Sequence, residues 1–372
     1  MSTSAGKYDA IIVGAGPAGA VCAATLANAG RRVLLLDRTR FPRDKVCGDC
    51  LNPSAWPIID RLGLRKRLLA LPHTQVREIS YHGIGGTDVR FPISHAAEIV
   101  VKRRDLDALL AARAVEAGAE FQDGVSVCRI GRGWEVGSDA GIFRSPVVIA
   151  ADGRNSAIAR LAGRLPTATR ERIAIQCHCP RPAWHGDAVR MMFYPGGYGG
   201  TARLGEEDIN LCLVASPDRL AQVRSMATRE FALPPNIEWR TVSPLARADA
   251  SDIASHGLFL IGDAARVVEP FTGEGIYYAM RSGELAAEAL LSEGNAADAY
   301  RSAHREMYRG RLWINRLARM AGRHPQVTSL GLKMLQFWPT PLRMLTEYVV
   351  GRTDESVSVS PGMPNAVASD RT

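Results

Sequence analysis

Short apolar runs alternate with helical patterns along the first part of the chain. The runs at 8–13 and 32–37 favour buried strands, and 17–29 between them has the apolar spacing and first-turn proline of a helix. Further apolar runs at 146–150 and just before Gly262 have the same character. This strand–helix–strand order predicts a parallel sheet with helices packed on it.

The pattern changes in the middle of the chain and again near its end. Residues 172–216 are rich in β-formers joined by Gly-Gly turns, which predicts an antiparallel sheet that also takes up strands from 76–96. Helices are predicted at 53–71, with a break around Gly63, and at 105–117. A long helix is predicted to begin near Glu274, and after Tyr300 the pattern is helical to about Val350. The tail from 351 mixes Ser, Pro, Val and Asp, and we expect it to be disordered.

The first predicted turn carries the spacing of a dinucleotide-binding fingerprint, Gly14-Ala-Gly-Pro-Ala-Gly19. Gly14 permits a tight turn, Gly16 lets the backbone approach a pyrophosphate, and Gly19 allows close packing of the helix. The helix N-terminus offers amides and a positive dipole end to phosphates. Asp37 ends the next strand, where a carboxylate binds ribose hydroxyls. The fingerprint predicts a dinucleotide but does not separate NAD from FAD.

Two later motifs favour FAD over NAD. Ala150-Ala-Asp-Gly-Arg-Asn-Ser156 follows a buried strand, and Gly262-Asp263 follows another. A carboxylate at such a strand end can bond the ribityl chain of FAD, which NAD lacks. The helix that begins near Glu274 then points its N-terminus at the flavin ring, whose reduced form is negatively charged. The plain alternative is an ordinary strand–loop–helix connection.

These motifs together resemble the geranylgeranyl reductase family, FAD-dependent oxidoreductases of the glutathione-reductase-like type that are related to the group A flavoprotein monooxygenases. The resemblance covers about residues 7–300. It rests on the fingerprint, on Phe41-Pro-Arg-Asp-Lys-Val-Cys-Gly48, on Ala151-Asp-Gly153, and on the segment from Gly262 to Ile276. Related aromatic hydroxylases usually have His after Gly-Asp-Ala-Ala, whereas this chain has Arg266.

The resemblance implies FAD as the cofactor and a set of residues that bind it. It places Cys47 and Gly48 near the flavin ring and matches Arg103 to an arginine that contacts FAD; the alternative for Arg103 is a solvated side chain at a helix start. The predicted cofactor-binding residues are Gly14, Gly16, Pro17, Ala18, Gly19, Asp37, Arg38, Cys47, Gly48, Arg103, Asp152, Gly262, Asp263, Pro270, Gly273, Gly275 and Ile276.

The predicted fold class is α/β, with a Rossmann-like FAD-binding domain, an inserted antiparallel substrate sheet and a C-terminal helical segment. We assign 1–75, 97–165 and 246–310 to the FAD-binding domain. Residues 76–96 and 166–245 form the substrate-binding sheet, 311–350 the C-terminal helices and 351–372 the tail.

The function implied by the resemblance is reduction of a C=C bond in a lipophilic or aromatic substrate by hydride transfer from the flavin. The first alternative is an NAD(P)H-dependent monooxygenase that acts through a flavin hydroperoxide. A reduced-flavin cyclase and a membrane-associated quinone oxidoreductase are less favoured. No second Rossmann fingerprint is present, so NADPH or another external donor would bind transiently.

Candidate catalytic residues are Cys47, Tyr198 and His178, although such tyrosines and histidines are more often core or surface groups.

Prenyl-reducing members commonly carry a Tyr-x-Trp-x-Phe-Pro segment, which the stretch 194–202 lacks, so a prenyl substrate is in question. A Trp-x-Trp-x-Ile-Pro segment of flavin halogenases is also absent. Cys47 and Cys50 have the spacing of a redox dithiol, but Cys50 is not needed for the resemblance. We expect no metal site.

The net charge of +8 is concentrated near the end of the chain. Residues 301–352 contain ten basic and two acidic residues, a difference that equals the charge of the whole chain. An anionic partner and a solvated helical face are both consistent with this. Residues 311–350, basic and tryptophan-bearing, are interpreted either as a helical cover over the substrate cavity or as a peripheral membrane contact.

No apolar run is long enough to span a bilayer. The expected location is the cytoplasm, with the inner face of the membrane as the alternative. The expected partner is a lipophilic small molecule, and no nucleic-acid partner is expected.

Overall fold

The computed structural model describes residues 8–93, 98–131, 133–169, 172–247, 250, 252–270 and 273–350. Its strands are β1 (Ala10–Val13), β2 (Val33–Asp37), β3 (Cys50–Leu51), β4 (His73–Gln75), β5 (Glu78–His82), β6 (Asp88–Pro92), β7 (Ile99–Val101), β8 (Glu120–Asp123), β9 (Val127–Ile130), β10 (Glu135–Ser138), β11 (Gly141–Arg144), β12 (Val148–Ala150), β13 (Ala168–Thr169), β14 (Ile173–Pro180), β15 (Val189–Tyr194), β16 (Gly197–Leu204), β17 (Asp208–Ala215), β18 (Arg240–Val242), β19 (Ala246–Arg247), β20 (Ala254–Ser255) and β21 (Leu258–Leu260).

Its α-helices are α1 (Pro17–Asn28), α2 (Trp56–Arg61), α3 (Arg65–Leu69), α4 (Arg103–Glu116), α5 (Ala157–Leu161), α6 (Leu220–Glu230), α7 (Gly275–Leu291), α8 (Ala296–Met307), α9 (Leu312–Arg323), α10 (Pro325–Leu335) and α11 (Thr340–Val350). Single 3-10 turns precede α2 and follow β21.

A six-stranded sheet in the order β20-β21-β12-β1-β2-β8 carries the fingerprint. All its pairs are parallel except the edge pair of β20 and β21. Strands β1, β12 and β21 are buried along their whole length, as continuous apolar runs in a parallel sheet require. Helix α1 follows β1 and packs against α4 and α7. The predicted strand–helix–strand unit is therefore confirmed.

A seven-stranded sheet in the order β18-β14-β17-β16-β15-β5-β6 contains the predicted 172–216 strands. Its pairs are antiparallel except for β5 and β15, which run parallel. No tight turn joins those two strands, since β5 comes from the earlier hairpin with β6. One face packs on α6, with Cys177 and Cys179 in that core, and the other packs on Leu332 of α10.

The segment 41–52 is not irregular throughout. Its last residues form β3, which pairs with β7, and β4 completes a small three-stranded sheet. This sheet brings Cys50 close to the strand that begins after Glu98. Such short pairings depend on a partner strand far along the chain, so local sequence does not reveal them.

The C-terminal helices lie against the seven-stranded sheet. Helix α10 contacts β5, β6 and β15, and α9 contacts β16. The α/β class, the two kinds of sheet and the helical end of the chain are all as predicted. The domain boundaries stay a prediction, and the tail at 351–372 lies outside the described residues. Within the described ranges, every helix is too short or too polar to cross a bilayer.

Candidate functional site

Two glycines of the fingerprint, Gly14 and Gly19, sit where no side chain fits. Gly14 has a φ of +106°, and a Cβ there would lie 2.4 Å from the carbonyl oxygen of Ala151. A Cβ on Gly19 would lie 1.8 Å from the carbonyl oxygen of Gly14. Helix α1 starts at Pro17 with no side-chain cap on its first amides. These uncapped amides and the open turn suit a pyrophosphate.

Asp37 lies buried at the end of β2 and accepts a 2.8 Å hydrogen bond from the amide of Ala15. The guanidinium of Arg43 lies between two carboxylates, 3.7 Å from Asp37 and 3.0 Å from Asp107. One of its nitrogens is 3.5 Å from the Cβ position of Gly16. Arg43 is thus a cation beside the Gly14–Gly19 turn, and the cofactor-binding residues predicted from sequence did not include it. Arg38, which that prediction included, is exposed.

Arg103 begins α4 and is buried, so the interpretation as a solvated side chain does not describe it. Its guanidinium donates two 2.8 Å hydrogen bonds to Asp107, and its amide donates to Asp49. Burial raises the pKa of the nearby Cys47 thiol, although the charge of Arg103 opposes this effect. Cys47 is therefore a neutral thiol at neutral pH.

Lys45 is a second cation of the cavity lining, and the cofactor-binding residues predicted from sequence did not include it. Its ammonium lies 3.5 Å from the Cβ position of Gly153. Partial desolvation in the cavity and the charge of Arg103 lower its pKa to about 8, and Asp263 partly offsets them. The signal for Lys45 and Arg43 was available, because both lie in the 41–48 motif.

The other end of the cofactor site lies after β21. Asp263 accepts a 3.1 Å hydrogen bond from Arg154, which ties this turn to the Asp-Gly-Arg motif. Helix α7 begins at Gly275, and no side chain caps its first amides, so these amides are also available to a ligand. Asp152 caps α5 through its bond to the amide of Ala157 at 2.6 Å. Its other oxygen is buried and has no hydrogen-bond partner in the described part of the chain.

One cavity of about 920 Å³ connects these elements with the seven-stranded sheet. Of the predicted cofactor residues, its lining includes Gly16, Pro17, Ala18, Cys47, Gly48, Arg103, Gly262, Asp263, Pro270, Gly273, Gly275 and Ile276. Two uncapped helix starts, a turn in which Gly14 and Gly19 leave no room for a Cβ, and a cavity lined by both helix starts fit FAD. Gly14, Gly19, Asp37, Arg38 and Asp152 lie outside this lining as the structure describes it.

The far part of the cavity is apolar. Strands β5, β15 and β17 contribute aliphatic and aromatic side chains, and α9–α11 close the opposite side. The lining there includes Ile79, Met191, Phe193, Val214, Ile314, Leu317, Leu332, Leu335, Leu342, Leu345 and Val349. The interpretation of 311–350 as a cover over this cavity therefore describes the structure.

The three predicted catalytic residues lie in different surroundings. Cys47 and Tyr198 line the cavity, but the Tyr198 hydroxyl donates a 2.7 Å hydrogen bond to Glu269. Burial raises the Tyr198 pKa well above its usual value. His178 lies 3.2 Å from Asp49, behind the Cys47 loop, and the described lining does not include it. Their catalytic roles stay predictions.

Glu98 is a cavity residue that the sequence reasoning did not single out. It precedes β7, is only 5% exposed, and lines the cavity. Burial raises its pKa to about 7. A lone glutamate before a short strand gives no sequence signal, because its burial depends on distant elements.

A buried ion pair joins the sheet to the cofactor loop. Arg172 donates two 2.8 Å hydrogen bonds to Glu269, directly before Pro270. Glu269 also accepts from Tyr198, and its amide donates to Asn315 of α9. The cluster of Arg172, Glu269 and Tyr198 thereby fixes the loop at Glu269 and Pro270 against β14, β16 and α9.

The seven cysteines are all free, including Cys47 and Cys50. No cluster of three or more metal-binding side chains occurs among the residues that the structure describes.

A family model described as an FAD binding domain matches residues 7–177. Menaquinone reductase of Mycolicibacterium smegmatis is 32% identical over 326 residues, which cover 77% of this chain and 77% of that protein. Geranylgeranyl diphosphate reductase of Rhodobacter capsulatus is 33% identical over 322 residues and 78% of each chain. Among solved structures, the flavin-dependent brominase Bmp2 superposes with a TM-score of 0.76 at 20% identity, over 92% of this chain and 94% of that one. That likeness is one of fold.

Proposed function

Because this chain belongs to the family of FAD-dependent oxidoreductases that includes menaquinone reductase and geranylgeranyl diphosphate reductase, we propose that it reduces a C=C bond in an isoprenoid-type lipid. The observation that supports this most directly is the apolar part of the cavity. It continues from the flavin end of the cofactor site and is walled by aliphatic side chains. A volume of about 920 Å³ is in the range of small-molecule sites, with room beyond the flavin for an apolar chain.

Reduced FAD supplies a hydride for such a reaction. The chain's own residues hold the cofactor and shape the space next to it. The uncapped amides of α1 and α7 stabilise negative charge at the two ends of the cofactor. Helices α9–α11 exclude water from the apolar part, which orients a lipid and protects the reduced site from solvent.

The test is an anaerobic assay with the purified holoenzyme, NADPH or dithionite as reductant, and menaquinone and geranylgeranyl lipids as substrates. We expect a product heavier by one H₂ for each double bond reduced, with reoxidation of the flavin. A parallel assay in air with NADPH tests the alternative: if the product there gains one oxygen atom, and NADPH oxidation requires O₂, the enzyme is a monooxygenase and the proposal is wrong.

We also propose that α9–α11 dock on an anionic membrane surface, from which a lipid enters the cavity. Most of the large apolar side chains that the described residues expose are on these helices. This docking surface consists of Leu312, Trp313, Leu317, Met320, Val327, Leu330, Met334, Phe337, Trp338, Met344 and Tyr348. Leu317, Met320 and Val327 also line the cavity, so the surface borders its mouth.

Charge favours an anionic occupant of the docking surface. Arg316, Arg323 and Lys333 are exposed on the same helices as its apolar side chains. Basic residues beside inserted apolar groups are typical of helices that lie in a membrane interface. Each such cation near an anionic surface contributes about 1 kcal/mol.

Replacing Phe337 and Trp338 together by serine should weaken membrane binding by at least about tenfold, since each buried aromatic contributes about 1.5–3 kcal/mol. The two side chains are 90% and 68% exposed, and neither lines the cavity, so the fold and the reductase activity on detergent-solubilised lipid should be kept. The measurement is flotation of the holoenzyme with phosphatidylcholine vesicles that contain or lack phosphatidylglycerol.

Val115 of α4 offers the matched control, because it is half-exposed and far from these helices in the chain. Val115→Ser should float like the wild type. Equal flotation of the double variant, or equal binding to neutral and anionic vesicles, would contradict the docking surface.

A further inference from the structure

We propose that Glu98 donates the proton that completes double-bond reduction. This inference rests on the proposed reductase function and names the second reacting group of the same site. Addition of H₂ to a C=C bond needs one hydrogen that arrives with an electron pair and one that arrives as a proton. The cavity must therefore hold an acid next to the cofactor.

The position of Glu98 meets this requirement. Its side chain lines the cavity, and one oxygen lies 3.7 Å from the Cβ position of Gly273, in the predicted flavin loop. The other oxygen, Oε2, is buried and has no hydrogen-bond partner among the described residues. A buried carboxyl oxygen without a partner is costly unless the group is protonated or meets a ligand.

Other acids of the cavity are less suited to this step. The hydroxyl of Tyr198 is bonded to Glu269, and that of Tyr81 lies 3.1 Å from the hydroxyl of Thr346. Lys45 lies at Gly153, on the cofactor side. His324 lines the cavity but is exposed, between α9 and α10. Glu98 combines burial, an open oxygen and contact with the flavin loop.

The surroundings of Glu98 hold a substantial fraction of it in the protonated form near neutral pH. Burial raises its pKa to about 7, and no charge of a described residue contributes to this value. The titratable groups that face it are Cys50 of β3 and Tyr81 of β5, whose own pKa values are raised by burial and, further, by the Glu98 charge. Both are neutral at pH 7. An acid with a pKa close to the working pH is the most effective donor.

A hydride and a proton add to the two carbons of the double bond. One alkene carbon receives the hydride that the reduced cofactor supplies, and the π bond breaks toward the neighbouring carbon. That carbon takes the proton from the Glu98 carboxyl, which becomes a carboxylate. Solvent returns a proton to Glu98, and NADPH or another two-electron reductant restores the reduced cofactor.

Glu98→Gln tests the proposal, because it keeps the shape and removes the acidic proton. In anaerobic single-turnover experiments, we expect flavin reoxidation by the lipid to slow by at least about 100-fold, while FAD content and flavin reduction stay unchanged. The wild-type rate should fall above about pH 7 as Glu98 ionises, and this pH dependence should disappear in the variant. Glu293→Gln, at an exposed position, is the matched control.

Infrared spectroscopy supplies a readout that does not need turnover. The wild type should show the carbonyl band of a protonated carboxyl that is lost with a midpoint near pH 7, and Glu98→Gln should lack it. If the band is absent in the wild type, or if the variant turns over at the wild-type rate, Glu98 is not the donor although the reductase function stands. If the wild type reduces no lipid, the proposed function fails and the donor role fails with it.

Discussion

Replacing Arg172 by methionine is expected to lower the free energy of unfolding by about 3–5 kcal/mol, the cost of removing one partner of a buried ion pair. The side chains of Arg172 and Glu269 are 7% and 1% exposed and share two 2.8 Å hydrogen bonds. Without Arg172, the Glu269 carboxylate stays buried with Tyr198 and the more distant Arg319 beside it. Urea denaturation of the holoenzyme at neutral pH measures the loss.

The pH dependence of this loss has a definite sign. Burial alone would raise the pKa of Glu269, but the hydrogen bonds and charge of Arg172 outweigh it and hold the pKa below its usual value. Stability from a depressed carboxyl pKa is present above the unfolded value, about 4.3, and is lost as the pH falls through the folded one. The difference between wild type and Arg172→Met should therefore be largest at neutral pH and shrink only as the pH falls below about 4.3.

Arg32 provides a matched control, since it pairs with Asp9 at 3.0 Å on the surface. Arg32→Met should change the free energy of unfolding by no more than about 1 kcal/mol. A loss of no more than about 1 kcal/mol in Arg172→Met, or a loss that is the same at pH 7 and at about pH 3, would mean that the buried pair does not stabilise the fold.

The cofactor half of the fold could be read from sequence because its signals are local. A Cβ at Gly19 would meet the Gly14 carbonyl oxygen five residues earlier, and the apolar runs of β1, β12 and β21 follow from burial on both faces of a parallel sheet. A helix start such as Gly275 is likewise specified by the residues around it. Contacts between residues that are close in sequence restrict the residue types there, and this restriction appears as a motif in the sequence.

The groups that shape the reaction space left no such pattern. Glu98 is buried by β3, β5 and the flavin loop, and Arg172 meets a carboxylate 97 positions away. The basic excess at 301–352 was visible in the sequence, but the partners of its arginines were not. Arg311 and Arg319 pair with Glu274 and Glu269, which lie before that segment. Part of the positive charge that suggested an anionic partner is thus neutralised by ion pairs inside the protein. Which of the remaining basic residues are exposed became visible only in the three-dimensional structure.

Replacing Gly19 by alanine should cost about 3 kcal/mol of stability and weaken FAD retention at least about tenfold. The added Cβ would lie 1.8 Å from the Gly14 carbonyl oxygen and 3.0 Å from the Ala151 side chain. Both contacts are with rigid parts of the phosphate turn, so α1 must move away from it. The opposite side of α1 cannot absorb the shift, because a Cβ at Gly283 of α7 would already be 2.1 Å from the Ala18 carbonyl oxygen.

The measurements are the flavin absorbance per polypeptide after gel filtration and the urea midpoint. Gly186→Ala is the control, since no atom lies within 4 Å of a Cβ at Gly186 and its φ is not in the left-handed region. It should stay within about 0.5 kcal/mol of the wild type. Full FAD content in Gly19→Ala would mean that the turn tolerates a displaced helix, and the alignment of α1 amides with the cofactor would then not be what holds it.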